Sequence, residues 1–166
     1  VSGTGATLDV AGSFLVADNG TAYLTVASGG AVTASDGFTA GNAYASAGTV
    51  TVTGSGSTLT VMDETLFVAD AGQALMTVSD SGGVTSGNGL VIGNASKSSG
   101  AVTVTGSGSA LDVTAGTTKV GNSGSGSLTV ADGATVTAAG GLVIGNGSKG
   151  SGTLTPTDAG SALTVG

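Results

Sequence analysis

Apolar residues in this chain fall in short alternating runs rather than in a helical stripe. Between Leu128 and Ile144 they occur at Leu128 and Val130, at Ala134 and Val136, and at Leu142 and Ile144. Each run has the period of two that sends alternate side chains to opposite faces of a strand, and β-branched residues are enriched in the runs. Gly126, Gly133, Gly140 and Gly141 stand between them, residues suited to sharp turns and positive φ. No segment keeps the 3.6-residue period for even about ten residues, so the pattern predicts strands and corners throughout.

The runs repeat. Leu24-Thr25-Val26 returns as Val50-Thr51-Val52, Met76-Thr77-Val78, Val102-Thr103-Val104, Leu128-Thr129-Val130 and Leu154-Thr155-Pro156, always 26 residues on. A stronger identity appears at twice that spacing: Val52-Thr53-Gly54-Ser55-Gly56-Ser57-Thr58-Leu59-Thr60-Val61 matches Val104-Thr105-Gly106-Ser107-Gly108-Ser109-Ala110-Leu111-Asp112-Val113. Gly89-Leu90-Val91-Ile92-Gly93-Asn94 likewise returns as Gly141-Leu142-Val143-Ile144-Gly145-Asn146, with Phe38-Thr39-Ala40-Gly41-Asn42 as a degenerate first copy. Two alternating versions of one unit are therefore expected.

Three strands and three corners per unit predict an all-β fold. The expected architecture is a right-handed parallel β-helix, a β-solenoid with about 26 residues per coil, about six coils and three short strands per coil. Coils stack at about 4.8 Å, giving a rod of about 30 Å. Residues 1–166 read as a single solenoid domain. Val1 and Gly166 both lie inside the repeat phase, as expected for a slice of a longer array. One inward column should run Leu24, Val50, Met76, Val102, Leu128, Leu154, and a second Phe14, Phe38, Leu66, Leu90, Thr118, Leu142, apolar apart from Thr118. A third, structural column is Asp18, Asn42, Asp70, Asn94, Asn122 and Asn146, where Asn and Asp tolerate left-handed backbone and stacked amides can bond between coils. Pro156 replaces an inward Val, removes a ladder N–H and predicts weaker pairing there.

Composition adds to this picture. Glycine supplies 33 of 166 residues, yet the hydrophobic share of 39% and mean hydropathy of +0.42 belong to a folding chain. The net charge is −7 and the only cations are Lys97, Lys119 and Lys149. That balance disfavours nucleic acid, whose phosphates need rows of cations, and a basic membrane-surface patch. No apolar run approaches the roughly 18 to 20 residues of a spanning helix, so no membrane insertion by this segment is expected. Without Cys, His or Trp, the usual zinc, thiol and imidazole chemistries have no side chains to use. The chain is not expected to be an enzyme or to carry a cofactor or metal.

The most regular surface feature is a possible contact ladder of outward threonines: Thr25, Thr51, Thr77, Thr103, Thr129 and Thr155. Thr53, Thr105 and Thr157 double it in alternate coils, as an ice-binding array would require, but Ala27, Ser79 and Ala131 interrupt the second column. Asp9, Asp63, Glu64, Asp112 and Asp158 form no recognisable catalytic pair. Phe14 and Phe38 are assigned inward, leaving Tyr23, Tyr44 and Phe67 as scattered exposed rings. Lys97 and Lys149 sit at the same polar corner two coils apart, as loop tips or as contacts to a neighbouring rod.

Leu-Thr-Val, Gly-Ala-x-Val-Thr, Gly-Leu-Val-Ile-Gly-Asn and Gly-Ser-Gly-x-Leu-Thr-Val-Thr-Gly-Ser-Gly-Ser-x-Leu, most faithful from Val50 to Thr153, resemble the repeats of bacterial autotransporter passengers and PEP-CTERM-associated exported proteins. The resemblance implies a right-handed β-helix exported to the outer surface of a Gram-negative bacterium, with an adhesive or self-associating role. Its partners would be copies of itself or molecules of a host or cell surface. The alternatives are a head-to-tail filament subunit, whose open contact propagates, and an ice- or glycan-binding solenoid.

Overall fold

The computed structural model describes every residue from Val1 to Gly166 and holds strands and turns without a helix. Sheet A contains the long strands β3 (Thr21–Ala27), β6 (Ala47–Thr53), β9 (Gln73–Ser79), β12 (Ser99–Thr105), β15 (Ser125–Ala131) and β18 (Ser151–Pro156). Sheet B contains β1 (Thr7–Val10), β4 (Ala31–Ala34), β7 (Thr58–Val61), β10 (Gly83–Ser86), β13 (Ala110–Val113), β16 (Thr135–Ala138) and β19 (Ala162–Val165). Sheet C contains the short strands β2 (Phe14–Val16), β5 (Phe38–Ala40), β8 (Leu66–Val68), β11 (Leu90–Ile92), β14 (Thr118–Val120) and β17 (Leu142–Ile144). The chain visits B, C and A in turn, and each strand pairs in parallel with the strands three before and three after it. This is the expected parallel β-solenoid.

Register explains the two periods seen in the sequence. In sheet A every residue pairs with the one 26 positions on, as in Leu24 with Val50 and Val50 with Met76. In sheet C the spacing alternates between 24 and 28, from Phe14 to Phe38 and then to Leu66. From β3 to β18, coils with turns of three, three and six residues alternate with coils whose turns all have four. The two sets have the same total, so sheet A returns to register each time.

Turn chemistry makes this alternation necessary. The three-residue turns that leave sheet A place two successive residues in the left-handed region, such as Asp80 (φ 52°) and Ser81 (φ 66°), and close with the Gly82 N–H donating to the Ser79 carbonyl at 2.9 Å. In alternate coils the turn that leaves sheet A ends in a serine that reaches the three-residue turn of the preceding coil. Ser57 Oγ donates to the Thr53 carbonyl at 2.7 Å and accepts from the Gly29 N–H at 3.1 Å. Ser109 and Ser161 accept from the N–H groups of Ser81 and Gly133 in the same way, each at 3.1 Å. Both Ser57 and Ser109 are buried. The repeated Gly-Ser-Gly-Ser motif is thus a hydrogen-bonding device that requires unlike coils as neighbours.

Both inward columns stack as expected, and the central coils bury them completely. Phe14 and Phe38 meet edge to face with centroids 5.3 Å apart. A third inward column in sheet A consists of Ala22, Gly48, Ala74, Gly100, Gly126 and Gly152. Only small residues fit there: a Cβ on Gly100 would strike the Val68 carbonyl oxygen and lie 2.8 Å from Ile92 Cγ2. Thr118 is fully buried between Leu90 and Leu142, and its Oγ1 has no hydrogen-bond partner.

Pro156 does not have the expected effect on pairing within the chain. It stays in register with Val130, and the Thr157 N–H still donates to the Val130 carbonyl at 2.8 Å. Alternate residues of a parallel strand bond to opposite neighbours. Gly54 and Gly106, at the same parity as Pro156, donate forward to Ser79 and Ala131 of the following coil. The missing N–H of Pro156 therefore faces away from β15.

Two outcomes are expected from unfolding experiments. Thr118→Val removes an unpaired buried hydroxyl at nearly constant volume and should stabilise the chain by about 1 kcal/mol; a lower denaturation midpoint would contradict this. Excision of residues 53–104 keeps unlike coils adjacent and should preserve the strand circular dichroism and a cooperative melt. Excision of residues 53–78 sets like coils against each other, and equal melting of the two deletions would refute the alternation requirement.

Candidate functional site

Strand alternation fixes what each face presents. On sheet A, Thr25, Thr51, Thr77, Thr103, Thr129 and Thr155 pair successively and point outward, half-buried in the middle coils and exposed at the ends. The second threonine of alternate coils is otherwise engaged. Thr53 Oγ1 donates to Asp80 Oδ2 at 2.9 Å and accepts from Ser79 Oγ at 2.9 Å, while Thr105 Oγ1 donates to Asp132 Oδ2 at 2.7 Å. Thr157 lies past the end of β18. The turn carboxylates thus take the hydroxyl protons that a flat Thr-x-Thr array would present.

The Asn/Asp column forms a real ladder between coils. Asn42 Nδ2 donates to Asp18 Oδ1 at 2.6 Å; Asn94 Nδ2 donates to Asp70 Oδ1; Asn122 donates to Asn94 and Asn146 to Asn122, each at 2.7 Å. Each amide donates toward the preceding coil, so an aspartate, having no donor, can only begin a run. The ladder accordingly breaks between Asn42 and Asp70. Left-handed backbone is not the reason for these residue types: positive φ falls on the preceding residue, at Ala17, Gly41, Ala69, Gly93, Gly121 and Gly145. At Gly93 a Cβ would run into the Ser125 carbonyl, which makes glycine obligatory there.

Two further faces emerge only from the register. On sheet B, Asp9, Thr33, Thr60, Thr85, Asp112, Thr137 and Thr164 form an outward column. Its spacing alternates with turn length, which hides it from a search at one fixed period; aligning at 52 residues unites Thr33, Thr85 and Thr137. On sheet C the outward column is Leu15, Thr39, Phe67, Val91, Lys119 and Val143. Phe67 is therefore no scattered ring but half-buried in a stripe, whereas Tyr23 and Tyr44 are about three-quarters exposed.

Near the first coils that stripe becomes a groove of about 460 Å³. Leu15, Thr39 and Phe67 line it together with Asp36, Asp63 and Glu64 from the turns that enter sheet C. No group of three His, Cys, Asp or Glu side chains is arranged to hold a metal ion. Asp9 and Asp112 lie on sheet B, Asp158 in the last turn, and Lys97 and Lys149 in the six-residue turns, where Lys97 shares a shallow hollow with Tyr44. These charged residues are spread around the rod rather than gathered in one place.

Comparison with protein-family models, with curated proteins and with solved structures finds no match to this chain.

The ladder break can be repaired. In Asp70→Asn the new amide can donate to Asn42 Oδ1 while its oxygen keeps the bond from Asn94, raising stability by about 1 kcal/mol. An unchanged or lower urea midpoint would show that the two halves of the ladder are not in bonding reach.

Proposed function

We propose that this chain is a structural and adhesive segment of a bacterial surface protein, a stiff extracellular rod that supports self-association or cell adhesion. The observation carrying this reading is the outward column Thr25, Thr51, Thr77, Thr103, Thr129 and Thr155, held at one position of every long strand. Identical hydroxyl and methyl groups recur about every 4.8 Å along a surface stiffened by backbone ladders. Weak contacts repeated along such a column add to useful avidity without any deep pocket. The resemblance of the repeats to autotransporter passengers and PEP-CTERM-associated proteins supports the same reading, including the outer surface of a Gram-negative cell. A head-to-tail filament has less support, because a coil added beyond Pro156 lacks one ladder donor.

Beads coated with the chain should be retained on layers of bacterial or host cells and should capture one another. Combined Thr51→Val, Thr77→Val, Thr103→Val and Thr129→Val replacement keeps strand propensity and removes the hydroxyls; retention should fall about tenfold with unchanged circular dichroism. Absence of retention for the natural chain, or equal retention for the variant, would count against the proposal.

A further inference from the structure

Sheet C carries a pattern that is complementary to itself. Its outward column has six rows: Leu15, Thr39, Phe67, Val91, Lys119 and Val143. Lys119 is the one cation on the outward face of any strand, since Lys97 and Lys149 lie in turns. The carboxylates at the entering edge of the column belong to the turns preceding its second and third rows, Asp36 before Thr39 and Asp63 with Glu64 before Phe67, while Asp18 and Asp70 lie at the opposite edge in the turns that follow its first and third rows. Glu64 also packs over Gly37, at the same edge as Asp36.

We infer that sheet C is the face through which two copies of this chain pair laterally with antiparallel rod axes. A twofold axis along the strand direction, between the Phe67 and Val91 rows, sets Phe67 against Val91 of the second copy and Leu15 against Val143. The same operation puts Lys119 opposite Thr39, beside Asp36, Asp63 and Glu64, and symmetry makes that contact twice. Those carboxylates in turn face the uncharged turns Gly87-Asn88-Gly89 and Thr114-Ala115-Gly116-Thr117. Parallel axes would instead stack Lys119 on Lys119, a like-charge contact that disfavours the alternative. The face measures only about 29 Å by 10 Å, so single copies pair weakly. A longer array repeating the pattern would multiply the contact.

Sedimentation of the intact chain up to about 2 mM, in low and high salt, reads the association directly. The natural chain should form dimers that weaken with salt. Lys119→Glu should raise the dissociation constant at least about tenfold, and so should the double variant Asp63→Lys with Glu64→Lys. An equimolar mixture of the two variants should recover dimers, because both symmetry-related contacts are then again between opposite charges. A natural chain that stays monomeric, variants that pair as well as it does, or a mixture that fails to recover would each overturn the inference. The pairing uses a face other than the threonine column, so Lys119→Glu leaves bead retention by that column unchanged and the two readings fail separately.

Discussion

Hydrogen bonding between coils, through the backbone ladders of the three sheets, governs the architecture of this rod. A single coil has strands of only three to seven residues, and none pairs with another strand of its own coil. Every strand N–H and C=O must find its partner above or below, so each coil has to bring all three strands back to the right height and phase. The alternating turn sets satisfy that requirement in two ways of equal length, and the buried serines at Ser57 and Ser109 tie the two kinds of coil together. The repeating element is therefore a pair of coils, although the sheet A period is a single one.

Packing follows from the same geometry. Equivalent positions stack directly, so a column tolerates only residues that suit the space between the sheets at that point. Large apolar residues fill the columns through Leu24 and Phe14, whereas the Gly100 column lies against the Val68 carbonyl and takes only Gly or Ala. Thr118 departs from its column at a cost, with a buried hydroxyl left unpaired. The Asn ladder converts stacking into hydrogen bonds, and its direction explains why Asp18 and Asp70 each begin a run.

Stacking also shapes the outer faces, where any residue placed outward is multiplied along the rod. Sheet A gains a threonine column, sheet B threonines interrupted by carboxylates, and sheet C an apolar stripe with one lysine. Extended, repetitive and shallow surfaces suit many weak contacts better than one tight one. With few cations on an acidic chain, the placement of Lys119 governs how two rods can approach.

Much of this was legible in the sequence, because strand parity is local. Leu24, Val50 and Met76 could be placed inward, and Asp18 with Asn42 could be placed at a corner, from spacing and the period of two alone. Whatever depended on unequal turn lengths or on the direction of the bonds between coils was hidden. The sheet B column escaped because turn lengths shift its spacing, and the direction of the Pro156 vacancy depended on which neighbour each parity bonds. The engagement of Thr53 and Thr105 by Asp80 and Asp132, and the meeting of Phe67 with Asp36, join residues about a full coil apart. The coil, its core and its repeat could be read from the residues alone, since these follow from alternation within a strand. Which side chains share a surface emerged from the folded rod, because that follows from summed turn lengths and the direction of the hydrogen bonds between coils.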